Sequence, residues 1–534
     1  MGYSDLWIEY SEKRVEQMKN RQKASIICKS ILCLMICIFI TNEVWFTNVV
    51  RAESGTLTDR SIEDFKKKMD EQVPKWQENY EVPGVAIGIV HEGRIAYTLN
   101  YGYVDKKTKK AVSDDTLFQA GSISKSLTAW GILHLVDEGR LSLDDPVGKY
   151  LTKWKLPNSE FNNNEVTIRR LLSHTAGLSA HKGYLGVVPG KHLDSIEESL
   201  SGKGWLNEPV EVTNKPGSET IYSGGGYTIL QLVIEEVTGI PFDRYMEEQI
   251  MKPLGIKSSS FLQRPENHNL SKAYGYFGEE LPSYQFTEQA AAGLKTNVTD
   301  MMTLILASMD ANNKGNGVIK SEHVEEMQKL VLGENGLGIF EKKLSNQWKL
   351  LYHSGDNRGW HSFYGFIPNI KDGLVILTNG EGGIDLRQDI YHAWIEYETG
   401  KLPESYFSLA EQRKNNSITS IVIGATLGLY LLLFVIRLYK GRRTFIFKQE
   451  KRSYIGLVVR TFLLIITAIL VFCAAYLWRV FSLNSGNTIN FILIMVWIIT
   501  LLISGFFPKI KSNKKQRMKR KDLTSKLHVC NVKG

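Results

Sequence analysis

The stretch Leu117–Trp130, LFQAGSISKSLTAW, sets Ser122 and Lys125 three positions apart where an apolar run begins. If a helix starts near Ser122, Lys125 follows one turn later and the two side chains share a face. A serine at a helix N-terminus lies among backbone N–H groups that lack intrahelical partners. Those groups favour negative charge, and negative charge develops on an oxyanion during acyl transfer. A lysine held there and partly desolvated loses its proton near neutral pH and accepts the serine's. A serine N-cap beside a surface lysine has the same spelling, so the pair is weighed by its surroundings.

Upstream, Thr58–Val73 reads as an amphipathic helix with Ile62, Phe65, Met69 and Val73 at helical spacing, ended by Pro74. GVAIGIVHEGRIAYTLNYGY follows, and it predicts a hairpin of Val85–Val90 and Arg94–Tyr101 turning at HEG. Downstream the chain is helical and loop-rich, with the runs TIRRLLSHTAG, GYTILQLVIEEVTG and NVTDMMTLILASMD. Strand patterns return late in LGIFEKK, WKLLYHSG, HSFYGFIP and DGLVILTNG, before a closing helix at Leu386–Tyr397. Strands at both ends with helices between predict an α+β fold: an antiparallel sheet flanked by helices, with an inserted helical lobe.

Two further segments bear on chemistry. KPGSETIYSGGGYTILQL places Tyr222 before a glycine run and a helix. LLYHSGDNRGWHSFYGF places His353 and Gly355 at the end of one strand pattern with another following, where a glycine lets a substrate backbone approach the strand edge. Each residue alone fits a structural role; the ordered set is harder to reach by chance.

As a set these segments resemble the penicillin-recognising serine hydrolases, closest to class C β-lactamases and their low-molecular-weight penicillin-binding and esterase relatives. FQAGSISKSLTAW resembles the family's S-x-x-K motif, IYSGGGY its Tyr-x-Asn motif, and YHSGDNRGW its Lys-Thr-Gly motif in the His-x-Gly form. RLLSHTAGL, MKPLGI and AAGLKTNVTDM are also similar to family segments, and the likeness spans about Gln72 to Tyr397. It implies a β-lactamase/transpeptidase-like fold with Ser122 as nucleophile and Lys125 taking part in its deprotonation. It implies Tyr222 as partner base or proton relay, and His353 holding that network and the side facing a substrate carboxylate. The oxyanion hole would be the backbone N–H groups of Ser122 and Asp356, beside Gly355. His174 in SHTAG lies in a segment that is structural in this family. The chain departs from the pattern at Gly224, which stands where the motif has asparagine; the lost donor weakens the case for efficient β-lactam hydrolysis.

The net charge of +9 is unevenly placed in the 534 residues. Arg437–Arg460 holds eight basic residues and one acidic, and Lys509–Gly534 ten and one, whereas Glu53–Asn416 carries −10. That distribution excludes nucleic-acid binding as the origin of the basic pI and predicts contact with anionic lipid. Three uncharged apolar stretches, 417–436, 461–478 and 489–507, approach bilayer length. With a basic loop between the first two and a basic tail, positive-inside logic places the loop and C-terminus in the cytoplasm and the chain before Ser417 outside. The expected layout is thus 1–52, 53–416 and 417–534: leader, extracytoplasmic hydrolase, and multi-pass region in the cell membrane.

Residues 1–52 read as a secretory signal cleaved after Ala52, with Met18 an alternative start, or as a further membrane segment. The cysteines, Cys28, Cys33, Cys37, Cys473 and Cys530, all lie outside the exported domain, so neither a disulfide framework nor a Cys-based metal site is expected, and no cofactor is called for. The expected activity is acyl transfer to water from D-amino-acid wall peptides or a related small amide or ester, as in a penicillin-binding D,D-peptidase. The alternatives are a class C-like β-lactamase and a sensor that is acylated without turnover. A membrane-protein partner for the C-terminal helices is also expected.

Overall fold

Ser61 opens the first helix with a capping box: its side chain accepts from the Asp64 N–H, and the Asp64 carboxylate accepts from the Ser61 N–H. The computed structural model of the chain describes residues 61–179, 184–203, 208–263, 269–276, 278–309, 317–443, 458–459, 461–467, 469 and 488–507. The expected leader 1–52, residues 58–60 of the first helix, most of the basic loop, residues 470–478 and the basic tail lie outside these. The chain divides into two units, one built on Thr56–Ser408 and the other containing the C-terminal helical residues from Leu409 onward.

In the first unit, α1 (Ile62–Tyr80) runs through Pro74 instead of stopping there. Pro74 sits on the exposed side, where water can satisfy the carbonyl one turn back, while Phe65, Met69 and Val73 stay buried on the other side. The hairpin forms as β1 (Gly84–His91) and β2 (Arg94–Asp105), followed by the short β3 (Lys110–Ala111). After the central helices the chain returns as β4 (Phe340–Lys343), β5 (Lys349–Asn357), β6 (Trp360–Ile367) and β7 (Asp372–Thr378). All seven strands join one antiparallel sheet in the order β3-β2-β1-β7-β6-β5-β4. The N-terminal hairpin thus pairs with the last strand, Ile87 lying opposite both Leu99 and Ile376.

β1 reads as an unbroken apolar run because both faces are covered. Val85, Ile87 and Ile89 pack with Phe65, Met69 and Val73 of α1 and with Leu386, Ile390 and Trp394 of the last helix of this unit, Gly383–Thr399. On the other face Ala86 and Val90 join the core of the helical lobe. A Cβ on Gly88 would fall 2.7 Å from Val298 and 2.8 Å from Met302, so the missing side chain lets helix Val298–Met309 lie close to the sheet.

Helix Ser124–Asp137 is the axis of that lobe and is buried from Ser124 through Leu133. Such all-round burial gives no amphipathic stripe. Helix Gly224–Thr238 and the short turn of helix Gln289–Ala292 pack beside it. This is the α+β sheet with an inserted helical lobe that the pattern predicts.

Helix Glu404–Tyr439, which belongs to the second unit from Leu409 onward, contains the apolar stretch 417–436 and is, among the described residues, the one helix long and apolar enough to cross a membrane. The second expected span lies largely outside the described residues. The third corresponds to helix Thr488–Gly505, whose described apolar run Ile492–Gly505 is shorter than a crossing. Of the three expected spans, one candidate is found among the described residues, and the other two are not confirmed there. The two helices are joined by Ser420 Oγ donating to Asn490 Oδ1 at 2.6 Å, Trp497 Nε1 to the Ile423 carbonyl at 3.3 Å, and the Tyr430 hydroxyl to Ser504 Oγ at 2.7 Å.

Candidate active site

Ser122 lies in a single 3-10 turn, Gly121–Ile123, that feeds directly into helix Ser124–Asp137. Its side chain caps nothing; it accepts a hydrogen bond from Lys125 Nζ at 3.0 Å. The N-cap reading of the S-x-x-K spelling is thereby replaced by a direct contact. Ser122 is half-buried, whereas Lys125 is only 2% exposed. Lys125 Nζ also donates to the Ala291 carbonyl at 2.7 Å and lies 5.0 Å and 5.6 Å from the ring centres of Tyr222 and Tyr227. Its hydrogen-bond partners are neutral, so burial pulls its pKa down to about 7.

Tyr222 stands two residues before helix Gly224–Thr238, fixed by the Ser223 N-cap that accepts from the Gly226 N–H. It is half-buried, and its hydroxyl hydrogen-bonds Ser122. Burial raises the phenol pKa and outweighs the opposing effect of that bond, so Tyr222 stays protonated at neutral pH. Ser122, Lys125 and Tyr222 are thus brought together from two helix starts.

His353 lies within β5, not at its end, because the strand runs on to Asn357. Its ring is buried, 6.4 Å from Tyr222 and 5.0 Å from Phe340 between centres. Nδ1 pairs with its neighbour's carbonyl, Ser354 O, at 2.6 Å, which puts the ring proton on Nδ1 and leaves Nε2 a buried acceptor without a partner among the described residues. Burial, then the nearby Lys125, lower its pKa to about 3. The ring is neutral, so it has no charge with which to attract a substrate carboxylate.

Gly355 and Gly121 interlock. A Cβ on Gly355 would fall 1.8 Å from the Ala120 carbonyl, and one on Gly121 (φ +52°) 2.6 Å from Asp356 N. The group that occupies the room at Gly355 is this chain's own Ala120 carbonyl. The contact sets the Asp356 amide beside the turn carrying Ser122. β4 pairs with β5 only as far as Tyr352, so on that side the ladder stops before His353–Asn357.

The Asp356 side chain points into a network the sequence reading missed. It accepts from His361 Nδ1 at 2.7 Å and Arg387 Nη1 at 2.9 Å, and His361 Nε2 faces Glu381 at 3.3 Å. Arg387 Nη1 also donates to the carbonyls of Ser362 at 2.8 Å and Gly355 at 3.2 Å. A basic residue on the apolar face Leu386–Ile390–Trp394 was the available signal. Ala291 had none, since it acts through its backbone carbonyl.

The chain matches the family model described as Beta-lactamase over residues 60–398. Protein flp of Staphylococcus aureus (strain N315) is 25% identical over 467 residues, covering 84% of this chain and 90% of that protein. That length exceeds the family match, so the likeness continues outside 60–398. The putative penicillin-binding protein PbpX of Bacillus subtilis (strain 168) is 28% identical over 274 residues, 48% of this chain and 64% of that protein. Among solved structures, the octameric penicillin-binding protein homologue from Pyrococcus abyssi superposes with a TM-score of 0.52 at 26% identity, over 59% of this chain and 74% of that one. The D-alanine carboxypeptidase AmpC from Burkholderia cenocepacia shares the fold, with a TM-score of 0.50 at 21% identity over 62% of this chain and 99% of that one.

Proposed function

The chain belongs to the beta-lactamase family, and from that premise we propose that it is a membrane-anchored serine hydrolase acylated on Ser122 by D-amino-acid peptides or related amides and esters. The observation that carries the proposal is the contact between half-buried Ser122 and a buried Lys125 whose pKa lies near neutrality.

The free base of Lys125 takes the Ser122 proton as Oγ attacks the substrate carbonyl carbon. The oxyanion that forms accepts hydrogen bonds from the Ser122 and Asp356 N–H groups. Tyr222, protonated and bonded to Ser122, gives its proton to the departing nitrogen or oxygen and regains one from the Lys125 ammonium. Water then attacks the Ser122 ester, and the same groups move protons in reverse. The edge of β5 past Tyr352, beside the nucleophile, suits a substrate with a peptide-like backbone. Gly224 offers no side-chain donor to that substrate, which favours a wall peptide or ester over fast β-lactam turnover.

Support for the anchor comes from helix Glu404–Tyr439 and from the likeness to Protein flp extending beyond the hydrolase region. The basic loop and tail favour an orientation with the hydrolase outside and the C-terminus in the cytoplasm.

The test is intact-mass analysis of the detergent-solubilised chain and its Ser122→Ala variant after exposure to a fluorescent penicillin, activated esters and D-Ala-D-Ala peptides. A lasting penicillin adduct on the unaltered chain alone, or Ser122-dependent hydrolysis of ester or peptide, is expected. A penicillin adduct that forms and clears within seconds assigns a β-lactamase. An adduct with every probe and turnover of none assigns a sensor. Equal labelling of the Ser122→Ala variant overturns the site.

A further inference from the structure

The backbone N–H groups of both residues that flank Tyr222 hydrogen-bond to one residue, His174. The Ile221 N–H donates to the His174 carbonyl at 2.8 Å, and the Ser223 N–H donates to His174 Nδ1 at 3.2 Å. The imidazole also lies against the Tyr222 ring, with centres 4.3 Å apart. Tyr227 and Phe340 stand around the same imidazole at 5.3 Å and 6.4 Å, and His174 is 5% exposed.

The residue pays a conformational cost to be there. Its φ of 58° is left-handed, a conformation uncommon for non-glycine residues, among which histidine, asparagine and aspartate adopt it most readily. Because Nδ1 accepts the Ser223 N–H, the ring proton sits on Nε2, which has no hydrogen-bond partner among the described residues. A strained backbone and an orphaned buried polar atom at one residue are features that persist where the surrounding structure requires them. Burial, then the nearby Lys125 and His353, push the imidazole pKa well down, so the acceptor stays available at neutral pH.

We propose that His174 is a positioning residue for acylation: it clamps the backbone on both sides of Tyr222 and backs its ring, holding the phenol on Ser122. The proposal rests on the reading of Ser122 and Tyr222 given above. His174 takes no proton in the reaction; it acts through Tyr222.

Two substitutions separate the clamp from the fold. Asparagine tolerates the left-handed backbone, and its Oδ1 can stand where Nδ1 accepts. Glycine fits the same backbone best and removes both acceptor and ring. Acylation of the full detergent-solubilised chain by p-nitrophenyl acetate is followed for both, beside their thermal unfolding. His174→Asn is expected within about threefold of the unaltered chain. His174→Gly is expected to lose roughly 100-fold, in kcat more than in KM, as a misplacement near 1 Å would cause, while staying folded at the assay temperature.

Unchanged acylation in His174→Gly overturns the proposal. So does an equal loss in both variants, since the shared acceptor would then be irrelevant. If the unaltered chain takes no acyl group from any probe, the hydrolase reading fails, and a crystal structure of His174→Gly still decides the clamp. A Tyr222 hydroxyl displaced from Ser122 supports it; an unmoved one sinks it.

Discussion

Lys125 shows how burial can make a lysine reactive. Its amine is hydrogen-bonded to a hydroxyl and a carbonyl, Ser122 Oγ and Ala291 O, and among the described residues it forms no ion pair with a carboxylate. With no carboxylate to offset desolvation of the ammonium, its pKa falls to about 7. Below that pH the amine is protonated and cannot accept the serine proton; above it the free base is available. The acylation rate of an activated ester is therefore expected to rise about tenfold per pH unit below about 7 and to level off above it. Lys125→Ala should remove that limb and slow acylation by about 10²–10⁴-fold. A rate independent of pH between 5 and 8 in the unaltered chain would sink Lys125 as the base. The Ser122–Lys125 contact was legible in the sequence because helical spacing puts positions three apart on one face. The Ala291 contact was not, because a carbonyl acceptor has no side-chain signature. The clamp by His174 was hidden for a similar reason: half of it is backbone, and a histidine in SHTAG looks alike whether it packs or reacts.

Among the elements, β5 and the 3-10 turn before helix Ser124–Asp137 depend on each other, and the buried charges behind β5 hold the pair. Burial works against a charge on His361, but its bonds to Asp356 and Glu381 outweigh this and raise its pKa above 6.5. Burial would likewise raise Asp356; Arg387, then His361, reverse that and hold the carboxyl below its ordinary 3.8. The signs follow from linkage. The raised histidine contributes stability fully below 6.5, and this is lost as pH climbs through its folded value. The lowered carboxyl contributes above 3.8, and this is lost as pH falls through its folded value. Thermal unfolding should thus show the network's contribution largest between these two values and declining above 6.5. His361→Asn should lower the midpoint inside that window and flatten the decline above it. An unchanged slope in the variant would show that another group carries it. Six of the seven strands were legible as short, largely apolar runs bounded by turn residues, while the two-residue β3 was not. The length of β5 was not: SGDN reads as a turn, yet Gly355 and Asp356 continue the ladder opposite Ser362 and His361. Pro74 misled for the opposite reason, because its exposed position tolerates the lost hydrogen bond.

For the whole molecule, the question is what a charged hydrolase gains from the helices that follow it. Helix Glu404–Tyr439 has 36 residues, about 54 Å at 1.5 Å per residue. Its first third is polar, and the uncharged stretch from Ser417 to Ile436 matches a hydrocarbon core of about 30 Å. Along that stretch Ile421, Val422, Leu429 and Leu432 are exposed, apolar surface that water would not favour and lipid would. Hydropathy made the segment legible, but the hydrogen bonds linking it to helix Thr488–Gly505 through Ser420, Tyr430 and Trp497 were not. They join positions some 70 residues apart by a pairing that only folding creates. Thr56–Ser408, by contrast, is a unit with its own two-sided core around the sheet. A chain of residues 53–408 is therefore expected to stay soluble without detergent and to keep its acylation rate within about threefold, since it retains the whole site. The full chain is expected to remain with membranes through an alkaline carbonate wash. If the full chain washes off, the helix is not an anchor. If the shortened chain folds but loses acylation, the C-terminal helices act on the site as well as holding it at the surface, and the two units would have to be treated as one machine.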